Sequence, residues 1–310
     1  MNGLELARAY YDAYGRPMLE TDFPETGRLI AAGLCGSGSE CMGFDDEVSR
    51  DHDFEPGFCL FLPDEETVSR REAFLLERAY AKLPKEFMGF ARARLSPVGG
   101  NRHGVIRLAD FLAEKTGDPA GRMDLHAWMT VPEQNLLEVT DGAVWRDDSG
   151  MLTGVRETLR YLPEDIRLRK LSGELLLMNQ SGQYNYGRCL AHGEKGAAAL
   201  AAAEFIRAAL HVFFLLEKRY MPYYKWSFRA LRSCGGDTAR DAALLETLAL
   251  QRDPEETELL IAQIAGDTAE RLSLQGLTDA ICCDLEQHAY SVADRITDAQ
   301  LRNMHILSGV

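Results

Sequence analysis

The stretch LCGSGSECMGFDDEVSRDHDFEPGFCLFLP, residues 34–63, contains the pattern that decides the fold. The pair Gly36-Ser37 follows an apolar run, and thirteen residues separate it from Asp51-His52-Asp53. Glycine and serine favour a tight turn whose backbone N–H groups can face an anion. Two aspartates at i and i+2 on a strand share one face, because the side-chain period of a strand is two. Such like charges repel each other without a cation, so the stretch predicts a phosphate loop beside a metal-binding dyad.

The composition allows a substantial core and argues against several classes of function. The chain has 310 residues, of which 46% are hydrophobic and 9% aromatic, which suits one large domain or two of ordinary size. The formal net charge of -14 at pH 7 argues against broad binding to nucleic acid or to an anionic membrane. That charge suits a cationic or metal-bound substrate instead.

The cysteines and the apolar segments predict a cytoplasmic protein. The seven cysteines are scattered and form no CxxC pair, which predicts reduced and mostly buried thiols. The N-terminal residues lack a basic region followed by an apolar one, so no signal peptide is expected. The most apolar segment, residues 196–216, carries Glu204, Arg207 and His211, which favours a buried helix over a membrane span.

Hydrophobic periodicity indicates a mixed α/β part at the start of the chain. Residues 3–15 have a helical pattern, and a second amphipathic helix is predicted to end in AAGLCGSGS. The aromatic run DFEPGFCLFLP at 53–63 predicts a strand, and the acid-first, base-later stretch that begins at Pro63 predicts a helix. Further elements are predicted as short strands near 91–95, 104–108 and 143–145, a turn at PVGGN (97–101), and helices at 108–114 and after Pro132.

Long helical patterns dominate from about Tyr161 to the end of the chain. The segment DPEETELLIAQIAGDTAERL predicts a helix with Asp253 as its N-cap and Pro254 at the first helical position. The predicted fold class is therefore α+β, with a small mixed-sheet domain over residues 1–155 and a mainly helical domain over residues 156–310.

The glycine–serine pair, the short spacer and the Asp-x-Asp before an apolar strand resemble the signature of the nucleotidyltransferase superfamily. With a helical domain behind the α/β one, the chain is similar in arrangement to the kanamycin-type antibiotic nucleotidyltransferases. A closer resemblance, over most of the chain, is to an uncharacterised bacterial family of unknown function within that superfamily. It includes VPEQNLLEVTDGAVWRD (131–147), QYNYGRCLAHGEKG (183–196) and RYMPYYKW (219–226).

The resemblance implies transfer of a nucleoside monophosphate from a nucleoside triphosphate, with ATP expected, to an unidentified small-molecule or protein acceptor. It assigns Asp51 and Asp53 as the catalytic metal ligands, and Gly36 and Ser37 as phosphate contacts, with Ser39 in the same loop. The chemistry agrees, because Mg²⁺ prefers oxygen ligands and is commonly held by one or two carboxylates plus phosphate oxygens. The oligomeric state stays open.

Three cations outside the loop are further candidates for the nucleotide site. Arg188 and Lys195 either neutralise the triphosphate or are ordinary surface cations of a polar loop. Lys225 is a candidate for reaching a phosphate while Tyr223 or Tyr224 stacks on the base. The favoured alternative is that this aromatic helix start packs into the core.

The remaining polar groups have plainer interpretations. His103, His126 and His211 show no metal-ligand spacing and are expected to be structural, as is His52 between the two aspartates. The acidic run Asp45-Asp46-Glu47 is either a solvated loop or an attractor for a cationic acceptor.

One departure from the superfamily pattern concerns a third carboxylate, which usually comes from the next strand. In GVIRLADFL (104–112) Ile106 occupies that position, while Asp110 is expected on the following helix and Asp124 is another candidate. The missing acid supports an alternative, a non-catalytic nucleotide-binding or regulatory protein, so enzymatic activity stays open. A toxin–antitoxin component of the minimal nucleotidyltransferase type is disfavoured, because such chains are usually much shorter.

Overall fold

A computed structural model describes residues 1–48, 54–92 and 103–310. The chain forms two compact units, one of residues 1–127 with 134–160 and the other of residues 128–133 with 161–310. The first unit contains a four-stranded mixed sheet with helices, and the described part of the second is helical. The predicted α+β class is confirmed, whereas a domain boundary at 155/156 stays a prediction.

The elements follow one another in chain order. Up to residue 160 they are α1 (Gly3–Tyr10), α2 (Arg16–Asp22), β1 (Ala31–Leu34), β2 (Cys59–Leu62), α3 (Arg70–Lys82), β3 (Glu86–Phe87), β4 (Phe90–Ala91), β5 (Gly104–Arg107), α4 (Leu108–Thr116), α5 (Leu125–Thr130), α6 (Glu133–Thr140), β6 (Ala143–Asp147) and α7 (Met151–Thr158). After it they are α8 (Glu164–Met178), α9 (Gly187–Ala191), α10 (Lys195–Leu216), α11 (Tyr224–Arg232), α12 (Thr238–Leu250), α13 (Pro254–Leu274), α14 (Leu285–Ala293) and α15 (Ala299–Arg302). π-Helical turns at Tyr11–Gly15 and Asn179–Tyr186 continue α1 and α8 without a break.

The central strands of the sheet are β1 and β2, in the order β5-β2-β1-β6. Strand β1 is antiparallel to both β2 and β6, while β2 runs parallel to β5. All residues of β1 and β2 are buried, as expected for strands covered on both faces. The prediction that a helix ends in AAGLCGSGS is therefore wrong. A buried strand and a buried helix segment look alike in so short an apolar run.

One face of the sheet packs against the helices that precede and follow the central strands. Its core joins Tyr10 and Tyr11 of the N-terminal helix to Phe58 and Leu60, and to Tyr80 of α3. Helix α3 begins later than predicted, because Ser69 and Glu72 form a capping box. The acids at residues 64–66 belong to the preceding turn.

The second unit is built around α8, which packs against α10 and α14. Twelve of the fifteen residues of α8 are buried, charged ones among them. Helix α13 begins as predicted, with Pro254 at its first position and the Asp253 side chain accepting from the backbone N–H groups of Glu255 and Glu256. Within the described residues α10 alone has the length and composition to cross a membrane, and most of its apolar window is buried. That burial agrees with the prediction of a buried helix.

The thiols are less buried than predicted. All seven cysteines are free, but only Cys35, Cys41 and Cys59 are buried, all three in the first unit. The other four lie at partly or fully exposed positions of the helical unit.

Candidate functional site

The glycine loop leaves the buried end of β1 under tight steric constraints. A Cβ on Gly33 would collide with the carbonyl oxygen of Ala143 on β6. Gly36 is buried with a φ of +119°, a conformation that side chains rarely adopt. Ser37, the next residue, is exposed. The backbone at Gly33 and Gly36 therefore requires glycine, which fits the glycine loop predicted from the sequence.

A half-buried arginine on α7 holds the chain next to this loop. The Arg156 guanidinium donates to the carbonyl oxygens of Thr140 at 2.7 Å and Asp141 at 2.9 Å, at the C-terminal end of α6. Its Nη1 also lies 2.9 Å from Cys35 Sγ. Burial raises the pKa of the Cys35 thiol to about 11, against the lowering influence of Arg156. Cys35 is thus a neutral thiol at physiological pH and a poor nucleophile.

The glycine loop opens into a pocket of about 370 Å³. Gly36 and Ser37 line it together with residues from the end of β2, from α3, from β5 and from α4. The other lining residues are Cys35, Leu62, Ala73, Glu77, Val105, Ile106, Arg107, Asp110, Phe111, Glu114 and Lys115. The volume lies within the usual range for small-molecule sites, roughly 300–1,000 Å³.

The pocket wall carries both signs of charge. Lys115 pairs with Glu114 at 2.8 Å and with Glu138 at 2.7 Å. Desolvation lowers the pKa of Lys115, but these two carboxylates outweigh it and the net pKa is raised, so the ammonium stays charged. Arg107 instead donates from Nη1 to two backbone carbonyl oxygens, those of Pro63 at 2.7 Å and Asp64 at 3.1 Å.

The residues of the predicted metal dyad, Asp51 and Asp53, lie outside the described residues, as do His52 and the turn PVGGN. Of the predicted strand at 53–62, only Cys59–Leu62 is a strand among the residues described, and this strand is central as expected. Over residues 1–48, 54–92 and 103–310, no group of three or more His, Cys, Asp and Glu side chains is arranged to hold a metal ion.

The candidate positions for a third carboxylate differ in whether they carry an acid and whether they line the pocket. Strand β5, Gly104–Arg107, carries no acid. Asp110 lies on α4 as predicted and lines the pocket. Asp124 accepts from the backbone N–H of Ala127 at 2.7 Å and is absent from the pocket lining, so its role is to cap α5.

The other predicted ligands are not part of the pocket wall. Ser39 follows in the glycine loop but is not among the lining residues. Arg188, Lys195 and Lys225 are exposed residues of the helical unit. Arg188 stacks over Tyr184 at 5.0 Å and Lys225 over Trp226 at 4.9 Å.

The structure also bears on the packing of segment 219–226 and on the acidic run at residues 45–47. The favoured core packing of the segment 219–226 is wrong for Tyr223 and Tyr224, which are 47% and 73% exposed, because α11 begins there with its first residues facing solvent. Asp45 accepts from the backbone N–H of Gly3 at 2.6 Å and Asp46 from that of Val48 at 3.0 Å, so two acids of this run bond to backbone groups of the first unit.

A second polar cluster lies wholly within the helical unit, around His211. Its Nε2 is 3.0 Å from Glu133 Oε1 and its Nδ1 is 2.8 Å from Glu174 Oε1. Glu174 also pairs with Arg207, and Lys170 lies 3.9 Å from Glu133. Desolvation lowers the pKa of His211, but the two carboxylates outweigh it and raise the pKa to about 9. Each carboxylate of the cluster thus has cationic partners within the helical unit, and the structural role of His211 stays a prediction.

Sequence reasoning missed Arg107, Lys115 and Glu77 as pocket residues. A signal was available for Lys115, because positions 111 and 115 recur at the spacing of one helix face, whereas Arg107 is the last residue of β5. Glu77 comes from α3, and only the tertiary fold brings it to the same wall.

Fold and pocket together define an α+β protein whose glycine loop opens into a pocket of mixed charge. A model for a domain of unknown function (DUF4037) matches residues 128–227, which contain all three segments of the predicted family resemblance. No curated protein matches the chain. A nucleotidyltransferase-like protein from Exiguobacterium sibiricum is similar at 13% identity over 94% of this chain and 89% of that chain, with a TM-score of 0.34. Since that score does not establish a common fold, the function proposed below rests on the motif and the pocket.

Proposed function

We propose that this protein is a Mg²⁺-dependent nucleotidyltransferase that moves a nucleoside monophosphate from a triphosphate, with ATP expected, to a small-molecule or protein acceptor. The observation that carries the proposal is the placement of Gly36 and Ser37 on the wall of a pocket of about 370 Å³. The Asp51-x-Asp53 motif precedes β2, whose last residue lines the same pocket. In the sequence the loop follows β1 and the motif precedes β2, and these two strands are neighbours at the centre of one sheet.

The donor chemistry of the pocket fits a hard cation and a phosphate chain. The Asp110 carboxylate and the Ser37 hydroxyl offer the oxygen donors that Mg²⁺ prefers, and Asp51 and Asp53 are the proposed ligands. A bound Mg²⁺ would neutralise phosphate charge as it develops. The buried, constrained loop at Gly36 holds the phosphate-facing backbone in place, and Arg107 adds a fixed positive charge.

A non-catalytic nucleotide-binding protein is the second candidate, and the absence of an acid from β5 favours it. Both candidates predict nucleotide binding, but only the first predicts transfer. Arg188, Lys195 and Lys225 remain proposed triphosphate contacts under either one. Kanamycin-type specificity, cytoplasmic location and bacterial origin also remain proposals.

The test incubates the protein with α-labelled triphosphates, Mg²⁺ and a cell extract. The wild type is expected to label an acceptor, whereas the double variant Asp51→Asn/Asp53→Asn is expected to lose labelling while remaining folded. Asp46→Asn is the matched control, because it removes an acid from the same connection, one whose carboxylate accepts from the backbone N–H of Val48. Triphosphate-dependent thermal stabilisation without any labelled acceptor would favour the non-catalytic alternative. Labelling that survives in the double variant would refute the dyad.

A further inference from the structure

Arg107 is held rigidly at the pocket by the backbone of the adjacent strand. It is the last residue of β5 and pairs in register with Leu62, the last residue of β2. Just beyond Leu62, the carbonyl oxygens of Pro63 and Asp64 accept from Arg107 Nη1 at 2.7 and 3.1 Å. One nitrogen of the guanidinium thus fixes the orientation of the whole planar group.

The other donors of this guanidinium are available to a ligand. In the part of the chain that the structure describes, Nε and Nη2 of Arg107 have no hydrogen-bond partner, and no carboxylate lies within ion-pair distance. Lys115, the other cation of the lining, is already neutralised by Glu114 and Glu138. An anchored guanidinium with free N–H groups is suited to bind a phosphate through two parallel hydrogen bonds.

The position of Arg107 in the sheet changes what the pocket can recognise. It directly follows Ile106, where the superfamily pattern leads one to expect a third carboxylate. An acid at position 106 would attract a metal ion, whereas the guanidinium at position 107, which also lines the pocket, attracts the phosphate oxygens themselves. The glycine loop lines the same pocket, so that one anion there could meet both its backbone N–H groups and the Arg107 guanidinium.

We propose that Arg107 is a polyphosphate-binding residue, so that this pocket binds a triphosphate chain directly and keeps affinity for it when divalent metal is absent. The identification of the natural ligand as a nucleoside triphosphate rests on the proposed function. The binding of the phosphate chain itself does not.

The test measures binding of inorganic tripolyphosphate to the full chain by calorimetry in the presence of EDTA. Wild type binds, and Arg107→Gln is expected to weaken binding roughly 10- to 100-fold, the range for losing hydrogen bonds to a charged group. Arg107→Lys keeps the charge but loses the planar fork, so it is expected to weaken binding several-fold. Arg146→Gln on β6 is the matched control, since that guanidinium pairs with Asp148 and does not line the pocket.

The outcomes separate this inference from the proposed function. Equal affinity of wild type and Arg107→Gln, or binding by wild type only when Mg²⁺ is added, overturns the inference. If Arg107→Gln fails to fold because the Pro63 and Asp64 carbonyls lose their donor, Arg107→Lys decides, and wild-type affinity in that variant overturns the inference. Labelled transfer without Arg107-dependent binding refutes only this inference. Arg107-dependent binding without transfer refutes only the proposed enzymatic function.

Discussion

Replacing His211 by glutamine removes a positive charge from between two buried carboxylates, and the size of the effect follows from the structure. Glu133 and Glu174 approach the imidazole at 3.0 and 2.8 Å and hold its pKa at about 9, against an ordinary value of 6.5. At about 1.4 kcal/mol for each pH unit, this rise corresponds to about 3 kcal/mol of stability. Lys170 and Arg207 keep one cation near each carboxylate in the variant, so the loss is partial rather than complete.

The sign of the pH dependence follows from a folded-state pKa that lies above the unfolded one. The stabilisation is fully present below about pH 6.5 and is lost as the pH rises through about 9. The free energy of unfolding of His211→Gln should therefore lie below that of wild type at neutral pH by up to about 3 kcal/mol, and the two should converge at alkaline pH.

Urea denaturation followed by circular dichroism, repeated across this pH range, measures both quantities. The matched control is His192→Gln, an exposed histidine of the same unit, which should leave the free energy of unfolding close to that of wild type. Tyrosine, lysine and cysteine side chains titrate in all three proteins alike. Their contributions therefore cancel when the free energies of unfolding are subtracted from one another. Parallel pH profiles for wild type and His211→Gln would refute the charged imidazole, even if the variant were less stable.

Local chemistry explains which parts of the fold could be predicted. The start of α13 was predicted correctly because Asp253 and Pro254 carry the whole capping signal within a few residues. The start of α3 was predicted too early because the acids at 64–66 imitate a first turn. Ser69 and Glu72 contain the real capping box.

Strand β1 shows why the sheet was harder to predict. Its four residues are paired on one side with β2 and on the other with β6, which lies more than a hundred residues later in the chain. Neither partner is visible in the local pattern of AAGL, so periodicity alone did not distinguish a buried strand from a helix end. Pairing with strands that are distant in the sequence therefore makes AAGL a strand.

In the candidate site, too, residues with a local signal could be predicted and residues that depend on non-local pairing could not. Gly36 and Ser37 could be predicted because the conformational freedom of glycine is a property of the residue itself. Arg107 was overlooked because its importance arises from the parallel pairing of β5 with β2, which brings the Pro63 and Asp64 carbonyls to its Nη1. Asp51 and Asp53 lie outside the described residues, so their role stays a prediction.

Two remaining predictions concern the support of the glycine loop. Iodoacetamide at mildly alkaline pH should leave Cys35 unmodified in the folded protein, because burial raises its thiol pKa to about 11. The exposed Cys283 should react under the same conditions. Mass spectrometry of the digested protein distinguishes the two cysteines. Rapid alkylation of native Cys35 would contradict its burial. Arg156→Ala should lower the free energy of unfolding by about 3 kcal/mol, because the carbonyls of Thr140 and Asp141 lose their charged donor. Arg160→Ala, nearby in the chain but 77% exposed at its side chain, should cost less than about 1 kcal/mol in the same urea titration. Equal losses for the two variants would mean that Arg156 does not hold the C-terminal end of α6 beside the pocket loop.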